Sequence, residues 1–349
     1  MLKVLFVASE CAPLVKVGGL GDVAGALPKA LSELGVDIRV ILPRYRAAGV
    51  AYLDFLPDSK VPVYTVNSDK YFSEIYPGGE LEYEQFAYFG RGVIDFIGKG
   101  DFKPDLIHLN DYHTGLIPAI LKERGLRIAT LFTIHDLANA GVADPVILKE
   151  AGLSETKSKA INWDLNDDDQ RIGLLKQGLI GADMINAVSP TYAKEILTSE
   201  YGQQLDELLI SRMSRVGGII NGIDYSVWNS QTDNIIAKPY TVTDFEVGKE
   251  FNKTTLQKEL GLNVTHERPL FGMITRLVHR KGIDLVIDTL AEMIKLGGQV
   301  VILGRGDTVY EEKLKSLVEK PGYTGNFSLN LRFDESLAHK IYAGADIFL

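Results

Sequence analysis

The sequence predicts an α/β protein with two Rossmann-like domains, each a parallel sheet covered by helices. Short apolar runs recur along the chain, and each is followed by a loop and an amphipathic segment. That alternation is typical of strand–helix–strand units whose parallel strands are buried on both faces. A polar stretch without periodicity divides the pattern in two. We therefore predict a first domain over 1–225, a linker over 226–244 and a second, incomplete domain over 245–349, with the two domains facing a cleft.

The first half begins with a strand at 2–8, because the run from Leu2 to Ala8 is almost uninterruptedly apolar. A glycine-rich loop follows, and then a helix at 22–34, for which Asp22 is the predicted N-cap and Gly35 the stop. The stretch 50–100 is dense in Tyr, Phe and Gly, so we expect short strands and loops there, inserted at the sheet edge. The other predicted strands are 37–43, 105–109, 128–134 and 184–188, and the other predicted helices are 114–124, 171–181 and 190–199.

The same alternation resumes in the second half. Predicted helices are 246–260, 283–296, 308–318 and 335–342, and predicted strands are 270–275, 299–303, 327–333 and 346–349. The last residues, Ala345 to Leu349, have the pattern of a buried strand, whereas chain termini are usually polar. We therefore expect this sequence to be a fragment that ends inside its second domain.

Composition excludes several classes of protein. Hydrophobic residues make up 46% and charged residues 24% of the chain, which argues against disorder. The formal net charge of −9 gives no electrostatic footprint for nucleic acid, so we expect no such partner. The single cysteine, Cys11, cannot form a disulfide framework or a zinc cage. No apolar stretch approaches the roughly 20 residues of a membrane span, so we expect a cytoplasmic protein without membrane contact.

The loop after the first predicted strand is the first candidate for chemistry. It places Lys16, Gly18 and Gly19 just before a helix N-terminus, with Asp22 in the helix. Adjacent glycines allow close approach of a ligand to the backbone, and the free N–H groups of a helix N-terminus favour an anion. The motif is neither G-x-G-x-x-G nor a Walker loop, so a tight turn with a surface lysine remains an alternative.

A second cluster follows the first strand of the second half. Arg276 and Lys281 lie near the carboxyl end of that strand, where open α/β sheets bind ligands. Arginine as a planar fork and lysine as a point charge suit a pyrophosphate, and the alternative is a solvated basic loop. Gly304, in Gly304-Arg305-Gly306, follows the next strand and resembles a nucleotide-contacting turn, although a lone Gly-x-Gly is weak.

Two further polar residues end neighbouring strands of the first half. His135 follows the strand at 128–134, and Asp111 follows the strand at 105–109. A lone histidine is more often structural than catalytic, but both positions converge on one crevice, which favours a functional site. The run 167–169 is three consecutive aspartates. We interpret it as an acidic cluster at a helix N-terminus, because no further ligand has the spacing of a metal site.

These residues resemble the bacterial and plastidial glycogen (starch) synthase family. The segment from Lys16 to Val23 (KVGGLGDV) resembles the family's N-terminal signature, and the further motifs keep the family's order over essentially the whole chain. They are Leu27-Pro28-Lys29, Pro104-Asp105-Leu106-Ile107-His108, Asp111-Tyr112-His113, Thr133-Ile134-His135, Val188-Ser189-Pro190-Thr191-Tyr192-Ala193, Ile220-Asn221-Gly222-Ile223-Asp224, Arg276-Leu277 and Lys281-Gly282.

The resemblance implies a GT-B glycosyltransferase that needs no metal and no cofactor. It would move glucose from ADP-glucose, or UDP-glucose in some members, to the non-reducing 4-OH of an α-1,4-glucan such as glycogen, with retention of configuration. Carried over by position, Lys16 and the Gly18-Gly19 turn would face the donor, and Arg276 and Lys281 would neutralise the leaving nucleotide. His135 would lie beside the transferring glucose, and Asp111 near the sugar or the acceptor.

The sequence departs from the family pattern after His135. The family usually continues with Asn and then Tyr-Gln-Gly, whereas Asp136 and Asn139-Ala140-Gly141 stand here, and the extra carboxylate could alter donor specificity. The family's glutamate motif, second phosphate loop and closing helix have no counterpart within the 349 residues. A truncated, non-catalytic module that binds glucan or nucleotide is therefore the alternative function. A different GT-B enzyme, such as a sucrose-related transferase or an epimerase, is disfavoured by the loop at 16–23.

Overall fold

The computed structural model describes residues 1–46, 53–100, 102–153 and 171–349. The chain divides into two compact units, Met1–Ile223 and Asp224–Leu349. Both are parallel sheets with helices in their connections, as the sequence predicts. The acidic run at 167–169 lies outside the described residues.

Within the described part of the first unit, seven parallel strands form the main sheet in the order β3-β2-β1-β4-β5-β8-β9. A short antiparallel pair, β6 and β7, lies beside it. The strands are β1 Lys3–Val7, β2 Asp37–Pro43, β3 Val63–Val66, β4 Leu106–Asn110, β5 Ala129–Ile134, β6 Val142–Ala143, β7 Ile172–Gly173, β8 Met184–Ala187 and β9 Val216–Gly218. The helices are α1 Gly19–Glu33, α2 Gly79–Lys99, α3 Ile117–Glu123, α4 Ile147–Ala151, α5 Leu174–Gly181, α6 Pro190–Glu195 and α7 Asp206–Ser211.

The central strands of this sheet are covered on both faces. Val4, Leu5, Phe6 and Val7 in β1 are each 3% exposed or less, which explains why the sequence of this strand lacks polar alternation. Strand β2 has the predicted bounds, because its run of buried residues reaches Pro43 and the next residue, Arg44, is exposed.

The start of helix α1 differs from the prediction. The helix begins at Gly19 with Gly18 as the N-cap residue, so Asp22 is not the cap but lies in the first turn. A carboxylate there is still favourable, because the N-terminal end of a helix carries partial positive charge. The predicted stop is correct, since Gly35 follows the helix with φ of +87°.

The prediction of short strands and loops at 50–100 is wrong for most of its described residues. Strand β3 does lie at the sheet edge, but Gly79–Lys99 is a single helix of 21 residues, α2. Two of its glycines, Gly90 and Gly92, reflect packing and not a turn. A Cβ on Gly92 would lie 2.4 Å from the Val66 side chain, and one on Gly90 would lie 3.2 Å from Ile120. Small residues therefore let α2 lie close to β3 and α3.

The second unit has a parallel sheet with the strand order β12-β11-β10-β13. Its strands are β10 Leu270–Ile274, β11 Gln299–Leu303, β12 Phe327–Asn330 and β13 Ile347–Phe348, and its helices are α8 Phe245–Glu259, α9 Ile283–Lys295, α10 Thr308–Val318 and α11 Glu335–Gly344. The stretch expected to be a linker packs onto this unit. Trp228 stacks on His339 with ring centroids 4.1 Å apart, and Asp233 Oδ2 lies 2.6 Å from His339 Nδ1.

Candidate functional site

The strand order of the first unit places one crevice between β1 and β4. The chain proceeds outward from β1 to β2 and β3 on one side, and from β4 to β5 and β8 on the other. At such a switch point the two loops that leave the carboxyl ends of the strands diverge and open a ligand site. The residues after β1 include the loop at 16–21, whose last three residues already form the first turn of α1, and the residues after β4 begin with Asp111.

The loop at 16–21 holds a cation beside an open glycine turn. Lys16 Nζ lies 2.8 Å from Asp22 Oδ1, an ion pair within the predicted donor site. A Cβ on Gly18 or Gly19 would meet no atom within 4 Å. Gly18 also has extended backbone angles, φ of −143° and ψ of −168°, which any residue can adopt. Packing and backbone geometry therefore do not explain why position 18 is a glycine. Close approach of a ligand to the backbone would explain it.

Glu10, which was not among the residues predicted from the sequence, supports this loop. Glu10 is 4% exposed, and its Oε2 accepts hydrogen bonds from the backbone N–H groups of Val17 at 2.6 Å and Gly18 at 2.9 Å. Tyr76 donates its hydroxyl to Glu10 Oε1 at 2.5 Å. The available signal was a glutamate three residues after a buried strand, at the ligand-binding edge of the sheet.

Asp111 and His135 contact each other, as their positions at neighbouring strand ends predict. Asp111 Oδ1 accepts hydrogen bonds from the backbone N–H groups of His135 at 2.7 Å and Asp136 at 3.3 Å. The backbone of Asp111 has φ of +55° and ψ of −176°, a strained conformation for a residue with a side chain. The bonds to Asp111 therefore help to hold a conformation that is unfavourable in isolation.

Asn110 determines which ring nitrogen of His135 carries the proton. Asn110 donates from Nδ2 to the carbonyl oxygen of Val7 at 3.0 Å, so its side-chain oxygen faces His135 Nε2, 3.0 Å away. An amide oxygen only accepts, so His135 Nε2 donates and Nδ1 is the unprotonated nitrogen of the neutral ring. Burial lowers the pKa of His135 to about 4, which keeps the ring neutral near pH 7.

Burial has the opposite effect on the carboxyl group of Asp111. Its pKa rises from an ordinary 3.8 to about 7, first because the group is buried and also because Asp136 and Glu10 are negative neighbours. The two backbone N–H groups oppose this rise. Asp111 thus carries a proton over part of the neutral pH range, unlike an exposed aspartate.

A cavity of about 300 Å³ adjoins Tyr112, the residue after Asp111. Tyr112 donates its hydroxyl to Glu82 Oε1 at 2.5 Å, and Tyr83 and the loop at 138–142 complete the lining. Gly141 has φ of +62°, and a Cβ there would lie 2.5 Å from the Tyr112 ring. Asn139 and Ala140, which depart from the family pattern, therefore line a space beside an aromatic ring.

The second unit presents its own basic loop at the end of β10. Its sheet order also changes direction beside this strand, between β10 and β13. Arg276 and Lys281 are exposed, and the short turn His279–Lys281 ends at Gly282 with φ of +69°. Within the described residues of this unit, neither side chain forms an ion pair, so both charges are available to a ligand.

Gly304 has a structural role in the same loop region. A Cβ at this position would lie 1.8 Å from the carbonyl oxygen of Thr275, and φ is +157°. Gly306 is constrained in the same way, 2.3 Å from the carbonyl oxygen of Leu277. These glycines therefore let the loops after β10 and β11 touch, which explains the Gly-x-Gly pattern without a nucleotide.

The described residues contain no cluster of three or more His, Cys, Asp or Glu side chains arranged to hold a metal ion. In the same residues, no helix is both long and apolar enough to cross a membrane. The candidate site residues form two groups. Lys16, Asp111 and His135 belong to the first unit, and Arg276 and Lys281 belong to the second.

Comparison with known proteins identifies the family. Residues 3–211 match the family model of the starch synthase catalytic domain. The chain is 41% identical to a glycogen synthase of Clostridium botulinum and 40% identical to one of Thermotoga petrophila, in each case over 100% of this chain and 78% of the relative.

A solved structure shows the same fold. The catalytic domain of starch synthase IV from Arabidopsis thaliana, determined with ADP and acarbose bound, matches 99% of this chain with a TM-score of 0.91 and 31% sequence identity. The match covers 77% of that chain. This protein therefore has the GT-B fold and belongs to the glycogen synthase family of glycosyltransferases.

Proposed function

We propose that this glycogen synthase homologue transfers glucose from ADP-glucose to the non-reducing end of an α-1,4-glucan, with retention of configuration. The observation that carries the proposal is the loop after β1, where a cation and two unobstructed glycines lie at a topological switch point. A relative with the same fold was solved with ADP and acarbose bound, which favours adenine as the donor's base.

In this proposal Lys16 and the turn at Gly18 and Gly19 contact the donor diphosphate. When the bond between glucose C1 and the diphosphate breaks, negative charge develops on the departing ADP. Arg276 and Lys281 stabilise that charge, an interaction that is stronger in the transition state than in the ground state and so raises kcat. Gly304 shapes the adjoining loop, and its contact with the donor is through the backbone.

Asp111 and His135 are proposed to contact the transferring glucose. Asp111 is a hydrogen-bond donor when protonated and an acceptor when ionised, and both forms are populated near its pKa of about 7. The neutral ring of His135 offers Nδ1 as an acceptor for a sugar hydroxyl. The cavity beside Tyr112 combines aromatic and polar groups, as carbohydrate sites do, and is proposed to take the glucan acceptor.

The test is glucose transfer to glycogen from ADP-glucose and UDP-glucose, with Lys16→Ala and Arg276→Ala compared with wild type. Lys16→Ala is expected to raise KM for the donor at least tenfold without a change in KM for glycogen. Arg276→Ala is expected to lower kcat by about 10²–10³-fold, the typical effect of removing one transition-state charge contact.

Matched controls are Lys99→Ala in the last turn of α2 and Lys295→Ala in the last turn of α9, because both lysines are exposed. They should leave both constants unchanged. Donor kinetics of Lys16→Ala equal to those of Lys99→Ala would remove Lys16 from the donor site. If the wild-type chain binds glucan but transfers no glucose from either donor, the alternative function, a non-catalytic binding module, is favoured.

A further inference from the structure

The buried carboxylate of Glu10 joins three separate segments of the first unit. Its Oε2 holds the N–H groups of Val17 and Gly18, and its Oε1 accepts from Tyr76, which lies between β3 and α2. Ser9 Oγ lies 3.0 Å from the same tyrosine hydroxyl. Because β1 is an interior strand of the sheet, Glu10 ties the glycine loop to the segment that leaves that strand.

These bonds determine how the loop faces a ligand. The N–H groups of Val17 and Gly18 point inward to Glu10, so they are not the groups that meet an anion. The loop folds closely around the carboxylate, since a Cβ on Gly21 would lie 3.1 Å from Glu10 Oε2 and 3.3 Å from Lys16 Cα. Because Gly21 has no side chain, the backbone of Lys16 can lie close to Glu10.

A purely electrostatic role for Glu10 is unfavourable. Its negative charge lies next to a loop proposed to receive a diphosphate, and like charges repel more strongly in a buried site. The carboxylate must therefore act through geometry. It accepts several hydrogen bonds, and these fix the conformation of a loop that would otherwise be free to move. Burial and the neighbouring Glu10 raise the pKa of Tyr76, which keeps its hydroxyl proton available for donation.

We infer that Glu10 and Tyr76 form a latch that positions the loop at 16–21, and with it Lys16, for the diphosphate of the donor. Both are positioning residues, because they act through the loop and not on the reacting atoms. The inference rests on the proposed function for its substrate, but the latch itself is a property of the folded chain. It predicts that loosening the latch impairs the donor and spares the glucan.

The test compares Glu10→Gln and Tyr76→Phe with wild type. Glu10→Gln keeps the size of the side chain but replaces one acceptor oxygen with a donor, and Tyr76→Phe removes a single hydroxyl. Amide hydrogen exchange of Val17 and Gly18 should be faster in both variants, because Glu10→Gln changes the group that accepts from their N–H groups and Tyr76→Phe removes the hydrogen bond that holds that group in place. KM for ADP-glucose should rise about tenfold in Glu10→Gln, which corresponds to about 1.4 kcal/mol, and about threefold in Tyr76→Phe, while KM for glycogen stays constant.

The matched control is Tyr64→Phe, which also removes a hydrogen-bonded hydroxyl from a partly buried tyrosine of this unit, where Arg39 donates to it at 3.0 Å. It should change the melting temperature about as much as Tyr76→Phe but leave exchange at 17–18 and donor KM unaltered. If Tyr76→Phe and Tyr64→Phe behave alike in every measurement, the latch has only a stabilising role and the inference is overturned.

Failure of the proposed function would look different. Absence of glucose transfer by the wild-type protein, expressed from its full reading frame, refutes that function, and the latch is then measured by exchange and by calorimetric affinity for ADP. Weaker ADP binding with faster exchange in Glu10→Gln supports the latch. Faster exchange with unchanged ADP affinity, or wild type that binds no ADP, overturns the positioning role.

Discussion

Replacing Asp111 with Asn should stabilise the protein, and by more above neutral pH than in acid. The variant keeps the side-chain oxygen that accepts from His135 and Asp136, so the hydrogen bonds that hold the strand end remain. Asn and Asp have similar backbone preferences, so the substitution adds no strain at φ of +55°. What the variant loses is the ability to ionise inside the protein.

The magnitude follows from the pKa of Asp111, which is 3.8 ordinarily and about 7 in the folded chain. Between these values the unfolded chain has released the proton while the folded chain retains it, so the free energy of unfolding falls as pH rises. Each unit of displacement corresponds to 1.36 kcal/mol, so the wild type loses roughly 4 kcal/mol across this window. The advantage of Asp111→Asn should therefore grow from about pH 4 to about pH 7 and level off above.

The measurement is urea unfolding followed by circular dichroism at about pH 5 and about pH 8. Asp183→Asn is a matched control, because Asp183 also accepts a backbone N–H, from Thr130 at 2.9 Å, but is exposed. It should show no comparable gain. An advantage of Asp111→Asn that is equal at both pH values would refute the assignment of a buried, destabilising charge to Asp111. Glucose transfer by the variant should fall, since the ionisable group is proposed to contact the sugar.

Three other perturbations test the geometry of the first unit. Gly141→Ala should lower the free energy of unfolding by about 1–3 kcal/mol, because φ is +62° and the new Cβ meets Tyr112; an unchanged urea midpoint would contradict this. Gly25→Ala, inside α1, should also destabilise, because its Cβ would lie 2.5 Å from the carbonyl oxygen of Ala12. Helix propensity alone predicts that the free energy of unfolding rises by about 1 kcal/mol. The sign of the measured change therefore shows whether the contact with Ala12 or helix propensity dominates. His135 should show no ring titration by NMR between about pH 5 and pH 8, because burial lowers its pKa to about 4.

The strands were the most predictable part of the fold. Asp37–Pro43 and Gln299–Leu303 have the predicted bounds, because strands buried on both faces are continuous apolar runs that stop at polar or turn residues. Helix α2 was not predictable in the same way. Its glycines and aromatic rings have low helix propensity, whereas Gly90 and Gly92 let the helix pack closely against α3 and β3, which no local pattern shows.

The residues of the candidate site were likewise only partly predictable from the sequence. Positions at the carboxyl ends of strands predicted Asp111 and His135 in the first unit and Arg276 and Lys281 in the second, because parallel strands bring those ends to one edge of their own sheet. Their contact with the donor stays a prediction. The N-cap assignment of Asp22 failed by a single turn, since glycine at the N-cap position leaves no side-chain signal.

The sequence by itself determined the alternation of strands and helices and the order of the family's motifs, because these depend on neighbouring residues and on polarity. Only the tertiary structure decided which groups meet. Glu10 reaches Tyr76 across 66 positions and Asp111 reaches His135 across 24, and no local pattern encodes such contacts. Burial in the folded unit, and not residue type, then determines that Asp111 is protonated near neutral pH while His135 is not.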